Sequence, residues 1–237
     1  MDGDVPPTAD PDSIAESGVA CAFAAYSCPF LDDSDPDDAV DVRTLVAESD
    51  CLVDAYLTRG LSPPYDFLLR VHAAELAAVQ GFLRGICRTT LGRRATLEES
   101  FLGVTASEEY VPELPDLAAE LDARSYEGAP PRYAIVIPTR KSAEWWTLSE
   151  AERVESMREH VEPTLDYLET VKRQLYRSTG LDDVDFLTYF ETDDPIAFQD
   201  LVRELQTIEE FRYTEYGNPT IVGTIRPIEE LLATSPE

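Results

Sequence analysis

Two imidazoles, those of His72 and His160, are the only ones the chain offers for acid–base work or metal ligation. His72 closes the apolar run LLRVH (68–72) and reads as the buried end of a strand, a structural histidine. His160 lies in MREHVEP (157–163), downstream of Trp145-Trp146, and taken alone reads as a surface histidine at the end of an amphipathic helix. Arg173 changes that weighing. Along Val171–Tyr176 side chains alternate, so Val171, Arg173 and Leu175 share one face while Lys172, Gln174 and Tyr176 take the other. A guanidinium grouped with Leu175, and with Thr188 and Phe190 of the paired strand, is costly to bury without an anionic partner. The space between a histidine-bearing helix and such a sheet face suits a flat apolar cofactor. Arg173 paired with a carboxylate, in a chain with 47 acids, accounts for the same pattern. Cys21, Cys28, Cys51 and Cys87 form no CxxC pair and have no histidine at zinc-like spacing. They lie mostly among apolar neighbours and are expected as buried free thiols.

The elements that must position these residues form a weak internal repeat. Gly60-Leu61 precedes Asp66-Phe67-Leu68, and Gly180-Leu181 precedes Asp185-Phe186-Leu187, an offset of about 120 residues. An amphipathic helix follows each, Ala74–Leu83 and Asp194–Leu205. In the second copy Tyr133–Pro138 is a strand, and Ser149-Glu-Ala-Glu152 is a capping box that opens a helix running towards His160. Thr170–Tyr176 and Val184–Glu191 make a hairpin, and Arg212–Tyr216 and Thr220–Ile225 flank the turn Gly217-Asn-Pro. The order is β-α-β-β-α-β, and the first copy matches it with strands near 18–26, 52–59, 65–72 and 98–105. The expected fold is α+β: two tandem ferredoxin-like modules whose antiparallel sheets lie side by side, with helices on the outer faces. The expected boundaries are a disordered acidic arm over 1–16, a first module over 17–126 and a second over 127–237.

Acids outnumber bases 47 to 19, a net charge of −28, and the only lysines are Lys141 and Lys172. Such a surface repels phosphate backbones and anionic membranes, so neither nucleic acid nor membrane is an expected partner. An acid excess almost without lysine fits a protein working in concentrated salt, where self-repulsion is screened. An acidic partner-binding protein is the alternative reading. With 43% hydrophobic residues the chain still buries a core. No apolar run approaches the roughly 20 residues of a membrane span, and the acidic start MDGDVPPTADPDS lacks a signal-like apolar stretch. The expectation is a soluble, cytoplasmic protein.

Three long stretches resemble the chlorite dismutase family of haem proteins: YAIVIPTRKSAEWWTLSEAER (133–153), EHVEPTLDYLETVKRQLYRSTGLDDVDFLTYFETDD (159–194) and GNPTIVGTIRP (217–227). PYDFLLRVHAAELAAVQGFLR (64–84) resembles the corresponding first-half segment. The resemblance is to the family's long-chain branch, and the acid excess implies an acidic, haloarchaeal-type member of it. The resemblance implies one haem b, held by the second module, with His160 as proximal iron ligand and Glu210 accepting from its other ring nitrogen. It puts Arg173 on the distal side, with Leu175, Thr188 and Phe190 completing that wall and Trp145 and Trp146 beside the haem. Lys141 matches a propionate contact and Tyr110 another. At the repeat offset the first half carries Val53 for Arg173 and Val40 for His160, so that half is expected to bind no haem.

The activity this resemblance implies is conversion of chlorite, a small anion, to chloride and O2. An O–Cl bond is cleaved at ferric haem and the fragments recombine while Arg173 holds the chlorine oxyanion. Family relatives that decarboxylate coproporphyrin haem carry glutamine at the position of Arg173 and a redox tyrosine directly before the proline matching Pro138, where this chain has Ile137. Both differences favour chlorite chemistry. The alternative is a non-chlorite haem protein of the same family: decarboxylase-like, peroxidase-like or a haem carrier. The long-chain branch implies a homo-oligomer, with a pentamer favoured.

Overall fold

The computed structural model describes residues 19–29, 36–105, 131–167 and 169–232. The arm over 1–16, the junction near 126 and Tyr110 lie outside the described residues. The first module runs β1 (Val19–Ser27), α1 (Pro36–Ala47), β2 (Leu52–Leu57), β3 (Phe67–Ala73), α2 (Leu76–Ile86), a short α3 (Thr90–Arg94) and β4 (Thr96–Thr105). The second runs β5 (Tyr133–Lys141), α4 (Ala143–Thr147), α5 (Glu150–Val161), β6 (Val171–Arg177), β7 (Phe186–Thr192), α6 (Pro195–Leu205), β8 (Thr214–Tyr216) and β9 (Ile221–Arg226). Short 3₁₀ turns occupy Glu162–Tyr167, Glu209–Tyr213 and Ile228–Leu232. Among the described residues, no helix is long and apolar enough to cross a membrane.

Local chemistry sets the element ends. At the start of α5, Ser149 Oγ accepts from the Glu152 N–H at 3.3 Å and Glu152 Oε2 accepts from the Ser149 N–H at 2.8 Å. Asp194 Oδ1 caps α6 by accepting from the N–H groups of Ile196 and Ala197, with Pro195 in the first helical position. The matched hairpins turn through Gly60 and Gly180, at φ of 82° and 79°, a region glycine enters without steric cost.

The two sheets do more than lie side by side. β2 pairs with β9 over Ala55–Leu57, and β4 meets β6 at Val104 and Arg177. The hydrogen-bonded order β5-β7-β6-β4-β1-β3-β2-β9 returns to β5, closing an antiparallel barrel, while β8 extends the end of β5. Alternation then gives every strand an interior face and a helix face. Along β1, Cys21, Phe23 and Ala25 point inward, whereas Ala20, Ala22, Ala24 and Tyr26 pack beneath the first module's helices. This double burial explains why Val19–Tyr26 reads as one unbroken apolar run.

The barrel interior carries a polar cluster shared by both modules. Arg70 donates to Asp54 Oδ2 at 2.8 and 3.0 Å, lies 3.7 Å from Glu191 Oε1, and sits 4.0 Å above the Tyr189 ring. His72, fully buried, meets the Tyr176 hydroxyl at 2.8 Å through Nε2, which makes it an interior structural residue. Burial and the Arg70 charge hold its pKa well below the usual histidine value, so it stays neutral.

One expectation fails here. Cys21, Cys28 and Cys51 are buried free thiols, but Cys87 is exposed. The buried stripe of α2 is Val79, Phe82 and Ile86, and Cys87 follows the last of these by one residue, about 100° round the helix axis and off the stripe.

Candidate functional site

In the first module the helix face of the sheet is filled. Val53, Leu69 and Val71 pack against Val42, Phe82 and Ile86, with Ile228 and Leu231 completing the core. The second module does not close in the same way. Between α5 and the outer face of β5, β6 and β7 lies a cavity of about 710 Å³, within the range of small-molecule and cofactor sites.

α5 turns Glu150, Arg153, Val154, Met157 and His160 towards this space, a helical spacing of three and four residues. None of its residues is buried, because its apolar side faces the cavity rather than a core. Across the cavity the sheet contributes Ile137, Leu175, Thr188 and Phe190, and register pairs Leu175 with Thr188 and Arg173 with Phe190. The Thr188 hydroxyl donates to the Ile137 carbonyl at 3.0 Å, which satisfies it within the sheet. Arg173 stands on this same face of β6, one alternation beyond Leu175, and its charge reaches the His160 ring.

His160 is fixed from behind. Its Nδ1 lies 2.8 Å from Glu210 Oε2, and Glu210, itself 1% exposed, comes from the 3₁₀ turn before β8. The other carboxylate oxygen, Oε1, accepts from Thr214 Oγ1 at 3.0 Å and contacts Lys141 Nζ. That amine also donates to Thr214 Oγ1 at 2.8 Å and lies 4.6 Å over the Trp145 ring, which packs against Tyr213 at 5.6 Å. Burial, with the Lys141 and Arg173 charges, lowers the His160 pKa to about 4. The ring is therefore neutral at physiological pH. With Nδ1–H donated to Glu210, Nε2 keeps the lone pair. Burial also lowers the Lys141 pKa, to about 8, against the opposing pull of Asp185, so the amine remains charged at neutral pH.

The structure thus brings His160, Glu210, Lys141, Trp145, Trp146, Leu175, Thr188 and Phe190 to one cavity and places Arg173 on the face above it. Sequence reasoning missed Arg153 and Met157, although they precede His160 by seven and three residues on the same helix face, and Arg177, which continues the alternation of Arg173 and Leu175.

A neutral, carboxylate-anchored imidazole opening on a cavity with apolar walls is the donor arrangement of a haem-type pocket. It does not resemble a bare-ion site: among the described residues no three His, Cys, Asp or Glu side chains gather around one point. Fold and cavity together define an α+β protein of paired ferredoxin-like modules with a cavity of cofactor size in the second. The chain belongs to the chlorite dismutase family, whose model matches residues 36–226. It is 46% identical over 186 residues to the chlorite dismutase of Ideonella dechloratans, covering 77% of this chain and 65%, just under two thirds, of that protein. The coproheme decarboxylase of Mycolicibacterium smegmatis is 27% identical over 182 residues, 76% of each chain. Among solved structures, the chlorite dismutase of Candidatus Nitrospira defluvii in complex with imidazole superposes with a TM-score of 0.82 at 41% identity, covering 94% of this chain and 98% of that one.

Proposed function

We propose that this protein is a haem b enzyme converting chlorite to chloride and O2. The observation that carries the reading is the His160–Glu210 pair, 2.8 Å apart, opening on a cavity whose opposite sheet face bears Arg173. His160 would hold the haem iron through Nε2, the nitrogen left with its lone pair by the Nδ1–Glu210 contact. Bound haem b would supply the redox chemistry that conversion of chlorite to chloride and O2 needs. The chain supplies orientation, exclusion of water and retention.

Glu210 holds the Nδ1 proton of His160, which fixes the tautomer and strengthens Nε2 as a donor. Lys141 and Thr214 hold Glu210 in turn. Leu175, Phe190 and Ile137 keep the distal side apolar, so a charge placed there acts at full strength. Arg173 stays protonated and offers a planar fork of donors, which suits it to hold chlorite and then the departing chlorine oxyanion until recombination. Trp145 and Trp146, which line the cavity, would lie beside the haem, and Tyr110 is assigned a propionate contact on the family resemblance. Ile137, on the cavity wall, has no phenol to relay radical equivalents, which disfavours decarboxylation.

The first module, 17–126, takes no haem in this reading because its helices already fill the matching face. The second, 127–237, is the haem module. The net charge of −28 and the absence of long apolar runs support a cytoplasmic protein working in concentrated salt, and the resemblance to the family's long-chain branch supports a homopentamer. An oxygen electrode tests the activity directly. Haem-loaded protein in molar salt should release O2 when chlorite is added, whereas consumption of chlorite without O2, or no turnover, overturns it.

A further inference from the structure

Each module locks its inner hairpin with the same device. In the first, the Asp66 N–H donates to the Tyr26 carbonyl at 2.7 Å, and the Asp66 carbonyl accepts from the N–H groups of Thr58 and Arg59 at 3.0 and 3.1 Å. Its Oδ2 accepts from the Cys28 N–H at 2.6 Å. In the second, the Asp185 N–H donates to the Thr139 carbonyl at 3.0 Å, and the Asp185 carbonyl accepts from the N–H groups of Ser178 and Thr179 at 2.8 and 3.2 Å. Its Oδ2 accepts from the Lys141 N–H at 2.8 Å. Each aspartate thus ties a hairpin to the end of a neighbouring strand, β1 in one copy and β5 in the other. The copies differ in two side chains. Arg59 pairs with Asp66, Nε to Oδ1 at 2.8 Å, whereas Thr179 at the matching position offers Asp185 Oδ1 a neutral hydroxyl at 3.3 Å. The anchored residue is the buried thiol Cys28 in the first module and Lys141 in the second. The Asp185 charge acts on Lys141 and pulls the pKa of that amine up against burial.

Lys141 carries this anchoring into the cavity. Its Nζ contacts Glu210 Oε1 and donates to Thr214 Oγ1 at 2.8 Å, and Glu210 Oε2 meets His160 Nδ1 at 2.8 Å. We propose that Asp185 is a positioning residue for the His160 end of the cavity, fixing the backbone of Lys141 and, through Lys141 and Glu210, the direction of the imidazole. The inference rests on the haem reading above. Loss of a group that holds a metal-ligating side chain from behind costs about 10–100-fold in metal affinity. Asp185 stands further out than Glu210, on the β6–β7 hairpin, so its loss should cost about tenfold, the lower end of that range. Asp66 has the same place in the fold, but the residue it anchors belongs to the module whose helix face is already filled.

The test uses the full-length protein. Asp185→Ala removes both the acceptor of the Lys141 N–H and the charge, whereas Asp185→Asn keeps an oxygen for that N–H and removes the charge alone. Asp66→Ala breaks the equivalent clamp of the first module and serves as the control. Haem affinity, read from the Soret band on titration with haem b, should fall about tenfold in Asp185→Ala. It should hold its wild-type value in the folded fraction of Asp66→Ala, although both variants lower the melting temperature. The chain's only lysines are Lys141 and Lys172, so lysine labelled with carbon-13 gives two side-chain signals in haem-free protein. In wild type the Lys141 signal should titrate at about pH 8. In Asp185→Asn it should titrate at lower pH, because an attraction for the ammonium is gone, while Lys172 stays unchanged. The inference is overturned if Asp66→Ala weakens haem binding as much as Asp185→Ala does, or if Lys141 titrates alike in Asp185→Asn and wild type. Wild-type protein that takes up no haem overturns the haem reading itself and this inference with it.

Discussion

Replacing Glu210 with glutamine removes one charge and almost no volume, and the structure sets the size of the consequence. The carboxylate is 1% exposed and serves His160 Nδ1, Thr214 Oγ1 and Lys141 Nζ together. In Glu210→Gln the Lys141 ammonium, 8% exposed, loses the carboxylate it contacts and keeps only Thr214 Oγ1, the Trp145 ring and the more distant charge of Asp185. Breaking a buried pair from one side costs about 3–5 kcal/mol. An independent bound agrees. Lys141 can escape by shedding its proton, and doing so at pH 7 from an unfolded value of 10.5 costs about 5 kcal/mol at 1.36 kcal/mol per unit. The folded variant then binds one proton fewer than the unfolded chain. Its deficit should therefore shrink by about 1.4 kcal/mol as pH rises from 7 to about 8 and then level off, because above that pH the folded wild type sheds the same Lys141 proton. Urea melts of the haem-free protein at several pH values measure this. Lys141→Met in the same background should restore most of the stability. Haem affinity should not return with it, because His160 still lacks its carboxylate; loss of such a partner costs about 10–100-fold in metal affinity. A Glu210→Gln protein as stable as wild type at pH 7, or a deficit that does not vary with pH, refutes the argument.

Three further outcomes follow from the same geometry. His160→Ala should abolish stable haem retention, whereas His72→Ala, a change inside the barrel, should lower the melting temperature yet leave the Soret band of the folded fraction near normal. Arg173→Ala should keep haem, lose about 10²–10³ in oxygen-forming rate by analogy with a single oxyanion-site donor, and leak more hypochlorite to a trap; Arg173→Lys should fall between the two. Melting temperature should rise between dilute buffer and molar sodium chloride as repulsion among the 28 excess negative charges is screened, and a flat profile would argue against adaptation to salt.

How much of this was legible in the sequence depends on the range of the interaction involved. The capping box at Ser149, the hairpin glycines and the alternation that groups Arg173 with Leu175 are local, and each stands in the structure as the residue pattern implies. The closing of the sheets into a barrel was not legible. It depends on contacts such as Val104 with Arg177 and Ala55 with Arg226, made between residues far apart in the chain. The same holds for Arg70 and Glu191, whose contact exists only because the barrel closes. Glu210 had no local signal. It is one acid among 47, fifty residues from its imidazole, and family resemblance alone singled it out. Cys87 was misjudged because its neighbours in sequence are apolar while its direction on the helix is outward.

In the proposed function Arg173 retains the chlorine oxyanion until the two oxygens join, which requires both atoms of the product to come from the same chlorite. Chlorite labelled in both positions with heavy oxygen, turned over in ordinary water and followed by mass spectrometry of the evolved gas, tests that claim directly. The account predicts doubly labelled O2, one per chlorite consumed, in wild-type protein. Singly labelled or unlabelled O2, or chlorite consumed with none released, contradicts it.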